Sequence, residues 1–166
     1  MDHDPRDNRV YRLRPRDNMQ VNKYWMCDDG MMSYQQLYTK RVEQGLVRED
    51  SNAMGSGNTR VTNPQDAVRL AAEKLASVPR AKIAVVLSAQ HSNEDNFAAV
   101  LFAKALGTDK LYLAANAGWK GDKVLRSEDN NPNRAGAVRV AGKAVPALSA
   151  LLAAVAQGDA AAVVAL

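Results

Sequence analysis

The chain has 166 residues, of which 46% are hydrophobic and 24% charged, and its formal net charge is +4. These values are close to the averages of globular proteins and argue against a largely disordered chain. No apolar run reaches the roughly 18 residues of a transmembrane helix, and the N-terminus lacks the regions of a signal peptide. Because charges of both signs are interspersed, the small positive excess gives little reason to expect a nucleic-acid partner.

Composition divides the sequence near residue 60. Of the 28 alanines, 27 lie in residues 61–166, whereas four of the five tyrosines and five of the six methionines precede residue 39. The single cysteine, Cys27, excludes an intramolecular disulfide and a cysteine-only metal site built from this chain alone. We predict a short irregular segment over 1–50, a polar linker over 51–60, and an alanine-rich packed layer over 61–166.

The first segment offers few regular elements. Residues 9–14 suit a short strand that ends at Pro15, and residues 30–38 suit a short helix. Asn63 is a plausible N-cap for a helix that begins at Pro64 and ends before Pro79.

The second segment alternates strands and helices. Residues 83–87 form an apolar, β-branched run typical of a buried parallel strand. Ser92 or Asn93 is placed to cap the next helix, which Gly107 should end.

Residues 111–113 suit a second strand, and a polar stretch over 116–134 follows it. Pro146 should open a helix through residue 156, before a third strand over 161–166. This order predicts a partial parallel α/β sheet, Rossmann-like, with three strands and flanking helices. Its exposed edges indicate a fragment, or a subunit whose layer a partner completes.

Two groups of residues are candidates for chemistry. Cys27 lies in Tyr-Trp-Met-Cys-Asp-Asp-Gly, where a soft thiolate suits iron and Gly30 permits a tight turn, although an ordinary free cysteine is the alternative. Asn93 and Glu94 follow a predicted strand, where open α/β sheets bind ligands, so they are candidates to contact a cofactor or a cluster-bearing loop. Helix capping with favourable dipole charges is by itself a sufficient explanation of these residues, and it is the favoured one.

Two further patterns favour structural roles. A hydrolytic triad of Ser88, His91 and Asp95 lacks a nucleophile elbow, so we predict no catalytic residue. Basic side chains alternate with apolar ones near the N-terminus, which suits a nucleic-acid surface, but a solvated strand face or a contact with a neighbouring subunit is favoured. These basic residues are Arg9, Arg12, Arg14 and Arg16.

The order of the motifs resembles a known family. Residues 9–18, Val21-Asn22 and the motif from Trp25 to Gly30 resemble the cluster-binding segment of the molybdopterin oxidoreductase superfamily. The likeness is greatest to the branch formed by the G subunit, the large iron–sulfur subunit, of bacterial NADH:quinone oxidoreductase (respiratory complex I). Matching residues continue in the second segment, and they are Leu87 to Phe97, Leu106-Gly107-Thr108, Gly121-Asp122, Leu125, Asp129 and Asn131-Pro132-Asn133.

This resemblance implies an electron-transfer lineage. Cys27 matches the last of four cysteines that hold a [4Fe–4S] cluster in the complete family protein, and the other three would lie upstream of Met1. No Gly-x-Gly-x-x-Gly follows either central strand, so we expect no molybdopterin. We also expect no bound cofactor and no turnover from this chain alone.

The resemblance further implies other subunits of a respiratory oxidoreductase complex as partners, with no nucleic acid and no direct membrane insertion. It implies a cytoplasmic location peripheral to the inner membrane. Two alternatives stay open. One is a fragment of an active molybdopterin-dependent oxidoreductase, such as a formate dehydrogenase-like enzyme, and the other is a non-catalytic α/β interaction module in which the thiol is inert.

Overall fold

A computed structural model describes residues 2–39, 41–48, 59–122, 124 and 127–166. The chain divides into two compact units, residues 1–67 and 68–166. Most of the predicted linker and the family-like Leu125 lie outside the described residues. None of the helices in the described ranges is long and apolar enough to cross a membrane.

The first unit contains two antiparallel strand pairs. Strand β1 (Asp2–Asp4) pairs with β2 (Arg9–Arg12), and β3 (Gly45–Arg48) pairs with β4 (Thr59–Thr62). The predicted strand over 9–14 is therefore confirmed in its first four residues. It is shorter than predicted because its partner β1 has only three residues. The second pair was not predicted.

The predicted helix over 30–38 has two parts. Helix α1 (Asp28–Met32) begins earlier than predicted because Cys27 caps it, and the chain then tightens into a 3₁₀ helix over Ser33–Tyr38. Helix α2 (Pro64–Ala76) follows the second strand pair. Asn63 Oδ1 accepts the Asp66 backbone N–H at 2.8 Å, which confirms the predicted N-cap.

The second unit is built on a three-stranded parallel sheet. Strand β5 (Ile83–Ser88) lies between β6 (Leu111–Ala114) and β7 (Ala162–Ala165), in the order β6-β5-β7. Every residue of β5 is buried, as its continuous apolar sequence predicts for a strand covered on both faces. The predicted fold class, a partial parallel α/β sheet preceded by small β elements, is confirmed.

Three helices cover the two faces of this sheet. Helices α3 (Asn93–Leu106) and α4 (Arg134–Ala141) pack on the face that carries Val85 and Leu87. Helix α5 (Leu148–Ala156) packs its Leu151 on the opposite face. Each layer therefore buries alternate residues of the same central strand.

Two of these helices differ from the predictions. Helix α4 was not predicted, because no side chain caps its N-terminus and the polar stretch before it hides its start. Helix α5 begins at Leu148 instead of Pro146. The Pro146 carbonyl accepts the Leu113 N–H at 2.9 Å, and Ala147 bridges to Leu113, so this segment continues the sheet before the helix starts.

Candidate functional site

The segment around Cys27 is a compact turn. Cys27 is exposed and is the N-cap of α1, and its Sγ accepts the Gly30 backbone N–H at 3.3 Å. A Cβ on Gly30 would lie 3.2 Å from this sulfur, which explains why a glycine suits the position. Before the turn, the Asn22 side chain donates to the carbonyls of Arg16 and Trp25 and holds the approach to Cys27 in place.

The donor set of this chain does not by itself fit a [4Fe–4S] cluster. Such a cluster takes four thiolate ligands, and Cys27 is the only cysteine in the sequence. Within the described ranges, no group of three or more His, Cys, Asp or Glu side chains is placed to hold a metal ion. The geometry therefore provides one ligand of such a cluster, the Cys27 sulfur, which already accepts a backbone N–H.

The carboxyl end of β5 is organised by a buried asparagine. Asn96, in the first turn and a half of α3, is fully buried. Its Oδ1 accepts the Ser88 N–H at 3.0 Å, and its Nδ2 donates to the carbonyls of Ser88 at 3.0 Å and Ser92 at 2.8 Å. These bonds fix the turn between strand and helix, and with it the position of Asn93 and Glu94.

Ser92 is the residue that caps α3. Its hydroxyl accepts the Asp95 N–H at 3.1 Å, and the Asp95 carboxylate accepts the Ser92 N–H, which completes a capping box. Hydrogen bonds from the Ser92 hydroxyl and backbone N–H lower the pKa of Asp95. The capping explanation thus accounts for Ser92 and Asp95, whereas Glu94 is exposed at the helix start.

A pair of asparagines from the polar stretch joins the loops after β5 and β6. We call Asn131 and Asn133 the asparagine clasp. Asn131 pairs with both backbone groups of Asn116: its Oδ1 accepts the N–H at 2.8 Å and its Nδ2 donates to the carbonyl at 3.1 Å. The same Oδ1 accepts a bond from Gln90 at 2.9 Å.

Asn133 attaches the clasp to the loop after β5. Its side chain donates to the His91 carbonyl at 2.8 Å and to Asn93 Oδ1 at 3.1 Å, and its N–H donates to the Ala89 carbonyl at 2.9 Å. Asn93 is therefore bonded to the clasp. Its predicted role, and that of Glu94, in contacting a cofactor or cluster-bearing loop remains a prediction.

A glycine of α4 makes room for this contact. A Cβ on Gly136 would lie 2.0 Å from Asn133 Oδ1 and 2.1 Å from Asn93 Oδ1, well inside any real contact distance. Asp129 contacts the same pair of asparagines through Asn131. The hydrogen bond from Asn131 is the first cause that lowers the pKa of Asp129, and the Arg134 guanidinium at 3.0 Å lowers it further. Only a glycine at position 136 leaves the asparagines where they are.

The hydrolytic triad has no supporting geometry. Ser88 Oγ accepts the Gln90 N–H at 3.2 Å, and the His91 ring lies 3.7 Å from the Asp95 carboxylate. Within the described residues, no hydrogen bond joins Ser88 Oγ to the His91 ring. The four arginines near the N-terminus are exposed. One of them, Arg9, makes a cation–π contact, because its guanidinium lies 5.0 Å from the Tyr38 ring centroid.

Sequence reasoning missed the clasp and Gly136. The motif Asn-Pro-Asn was recognised only as part of a family resemblance, and its partners lie about 15 and 40 residues away. The available signal was the density of short amides after two neighbouring strands, at the edge where their carboxyl ends meet.

Comparison with known proteins supports the resemblance. No family model matches the chain. The G subunit of NADH-quinone oxidoreductase from Rickettsia conorii is 26% identical over 123 residues, and that from Rickettsia felis is 27% identical over 123 residues. Each of these matches covers 74% of this chain and 17% of the relative. The Rickettsia bellii protein of the same name is 26% identical over 104 residues.

These matches confirm that the chain resembles the G subunit of NADH-quinone oxidoreductase. The chain spans about a sixth of the length of the curated relatives, since the match covers 17% of them. A match over 123 residues is longer than either compact unit, so the similarity extends over parts of both.

Proposed function

We propose that this chain is a segment of an electron-transfer subunit of the kind that the G subunit represents, with a structural and iron–sulfur role in a respiratory complex. The observation that supports this proposal is the similarity to the G subunit over parts of both units. In the proposal, residues 1–50 are the end of a cluster-binding segment and residues 61–166 begin an α/β domain that serves as scaffold. In the complex the chain is cytoplasmic and peripheral to the inner membrane, and the other subunits are its partners.

Cys27 supplies one ligand in this proposal. Its exposed sulfur, held at a helix N-cap by the Gly30 N–H, has the N–H···S bond and the access that a cluster ligand needs. The remaining ligands come from residues that do not belong to this sequence. A bound [4Fe–4S] cluster would supply one-electron redox chemistry, while the residues of this chain hold the thiolate in a fixed turn.

The first experiment tests membership of the complex. The gene is tagged in its own organism, membranes are solubilised, and complexes are separated on a native gel that is stained for NADH oxidation. The tagged chain should migrate with the NADH-oxidising band, and a chain found only elsewhere contradicts the proposal. Stoichiometric molybdenum or tungsten in the purified complex would instead favour the formate dehydrogenase-like alternative.

The second experiment tests the thiol. Cys27→Ser should remove about four iron atoms per complex and one reduced-state paramagnetic signal, because the cluster loses one of its four thiolate ligands. Asp28→Asn is the control, since it changes the neighbouring residue and leaves the sulfur in place. If the serine variant does not assemble, Gly30→Ala gives a second readout: its Cβ presses on Sγ at 3.2 Å, so the signal should shift while iron is retained. Unchanged iron and an unchanged signal in both variants would indicate the interaction-module alternative.

A further inference from the structure

The stretch that leads to Cys27 contains neither a helix nor a strand over residues 13–27. Backbone groups in such a stretch need other partners, and one residue supplies several of them. The Asn18 carbonyl accepts the N–H groups of Asn22 at 3.1 Å and Lys23 at 2.7 Å, and the Asn18 N–H donates to the Lys23 carbonyl at 2.8 Å. Residues 18–23 therefore form a closed turn shortly before the cysteine.

The Asn22 side chain joins the two ends of this turn. Its amide nitrogen donates to the Arg16 carbonyl at 3.2 Å and to the Trp25 carbonyl at 3.1 Å. The Asn22 backbone carbonyl also accepts the Trp25 N–H at 2.8 Å. A side-chain amide has two protons to donate, and this half-buried one uses both on main-chain carbonyls. A single side chain thus holds residue 25 close to residue 16.

The position of the Trp25 peptide affects where the Cys27 sulfur lies. Met26 alone separates the two residues, and planar peptides leave few dihedral angles to absorb a displacement. After the cysteine, the Met31 N–H donates to the Cys27 carbonyl at 3.0 Å, at the start of α1. The sulfur therefore lies at the junction between the turn and the helix. A displacement of the turn would weaken the bond from the Gly30 N–H to Sγ at 3.3 Å.

We propose that Asn22 is a positioning residue for the Cys27 thiolate. Its two side-chain hydrogen bonds hold the chain on its approach to α1 and thereby keep Sγ within reach of the Gly30 N–H. This rests on the proposed function, in which Sγ is a cluster ligand. Hydrogen bonds to the sulfurs are among the factors that set the reduction potential of an iron–sulfur cluster. Because an N–H donor stabilises the more negative, reduced state, Asn22 raises that potential without contacting the cluster itself.

Exchange of the Gly30 amide with water, measured by NMR on the full chain, tests the positioning separately from any cluster. Asn22→Asp keeps the shape of the side chain and removes its N–H donors, so the Gly30 amide should exchange about tenfold faster. Asn18→Asp is the matched control, because it adds the same charge and its side-chain oxygen still accepts the Gln20 N–H, which lies 3.0 Å from Asn18 Oδ1. In that variant the Gly30 amide should exchange as in the wild type. Equal rates in the two variants overturn the proposal and leave the proposed function unaffected.

The midpoint potential tests the consequence in the assembled complex. Asn22→Leu removes the donors and adds no charge, so the paramagnetic signal that depends on Cys27 should persist with its iron and titrate at a lower potential. Gln20→Leu makes the same kind of change at an exposed position of the same turn, and its potential should equal that of the wild type. Equal potentials in the two variants overturn the proposal. A wild-type complex without a Cys27-dependent signal contradicts the proposed function, whereas the Gly30 exchange rates still test the role of Asn22. If the Asn22→Leu chain does not assemble, those rates decide the question.

Discussion

Asn96 is a residue whose removal should strongly destabilise the second unit. It is fully buried, and its amide satisfies the Ser88 N–H and the carbonyls of Ser88 and Ser92 at 2.8 to 3.0 Å. Asn96→Ala would leave the Ser88 N–H without a partner at the end of the central strand. It would also remove one of two bonds from each carbonyl, because the Ser92 carbonyl keeps the residue-96 backbone N–H at 3.2 Å and the Ser88 carbonyl keeps the His91 N–H at 3.4 Å. The variant therefore tests whether the strand-to-helix turn depends on one side chain.

The expected loss follows from one donor left unpaired and two further hydrogen bonds removed. The buried Ser88 N–H, left without a partner, costs about 1–3 kcal/mol, and each of the two lost bonds to carbonyls that keep another partner costs about 0.5–1.5 kcal/mol. Alanine recovers roughly 0.5 kcal/mol through its better helix propensity. The free energy of unfolding should fall by about 3 kcal/mol, which is a large part of the stability of a small domain.

The assay is urea unfolding of the full chain followed by circular dichroism. Asn93→Ala is the control, because it removes an asparagine from the same helix that is exposed and accepts one bond, from Asn133. It should cost well under 1 kcal/mol. A loss below about 1 kcal/mol for Asn96→Ala, equal to that of the control, would refute the claim that this amide organises the turn.

Two other changes have definite expectations. Gly136→Ala should lower the free energy of unfolding by about 1–2 kcal/mol, although alanine has the better helix propensity. The loss should be smaller in an Asn133→Ala background, because the clash with the Asn133 side chain is then absent. Equal losses in both backgrounds would contradict this explanation. The lowered pKa of Asp95, caused first by the Ser92 hydroxyl, contributes stability above the ordinary carboxyl pKa that is lost as the pH falls through the lowered value. The melting temperature should therefore fall less on acidification in Asp95→Asn than in the wild type, with Glu94→Gln as the control, and parallel curves would contradict it.

The elements that the sequence predicted are those specified by local patterns. Strand β5 is a continuous apolar run, and α3 has a capping box at Ser92 and a left-handed glycine, Gly107, at its end. Each signal lies within a few residues of the element that it specifies, so neither needs tertiary information.

The features that were missed depend on distant partners. Helix α4 starts at Arg134 without a side-chain cap, because the Asn133 side chain at the N-cap position bonds to Asn93, 40 residues away. Strands β3 and β4 pair across residues 49–58, whose small polar residues indicate a loop but not the short turn of a tight hairpin, so neither strand predicts the other. Cys27 was recognised through a family motif, and its capping bond to Gly30 is a local feature that the motif alone did not reveal.

The asparagine clasp has a thermodynamic consequence for any small molecule that would enter the crevice beyond β5 and β6. Asn133 already occupies the His91 carbonyl, and Asn131 already occupies both backbone groups of Asn116. An incoming ligand must displace these amides before it can use the same groups. If two bonds of about 1 kcal/mol each are given up, the dissociation constant rises about thirtyfold. Selective occupancy of this crevice would thus demand a ligand that replaces the amides with stronger, charge-assisted contacts.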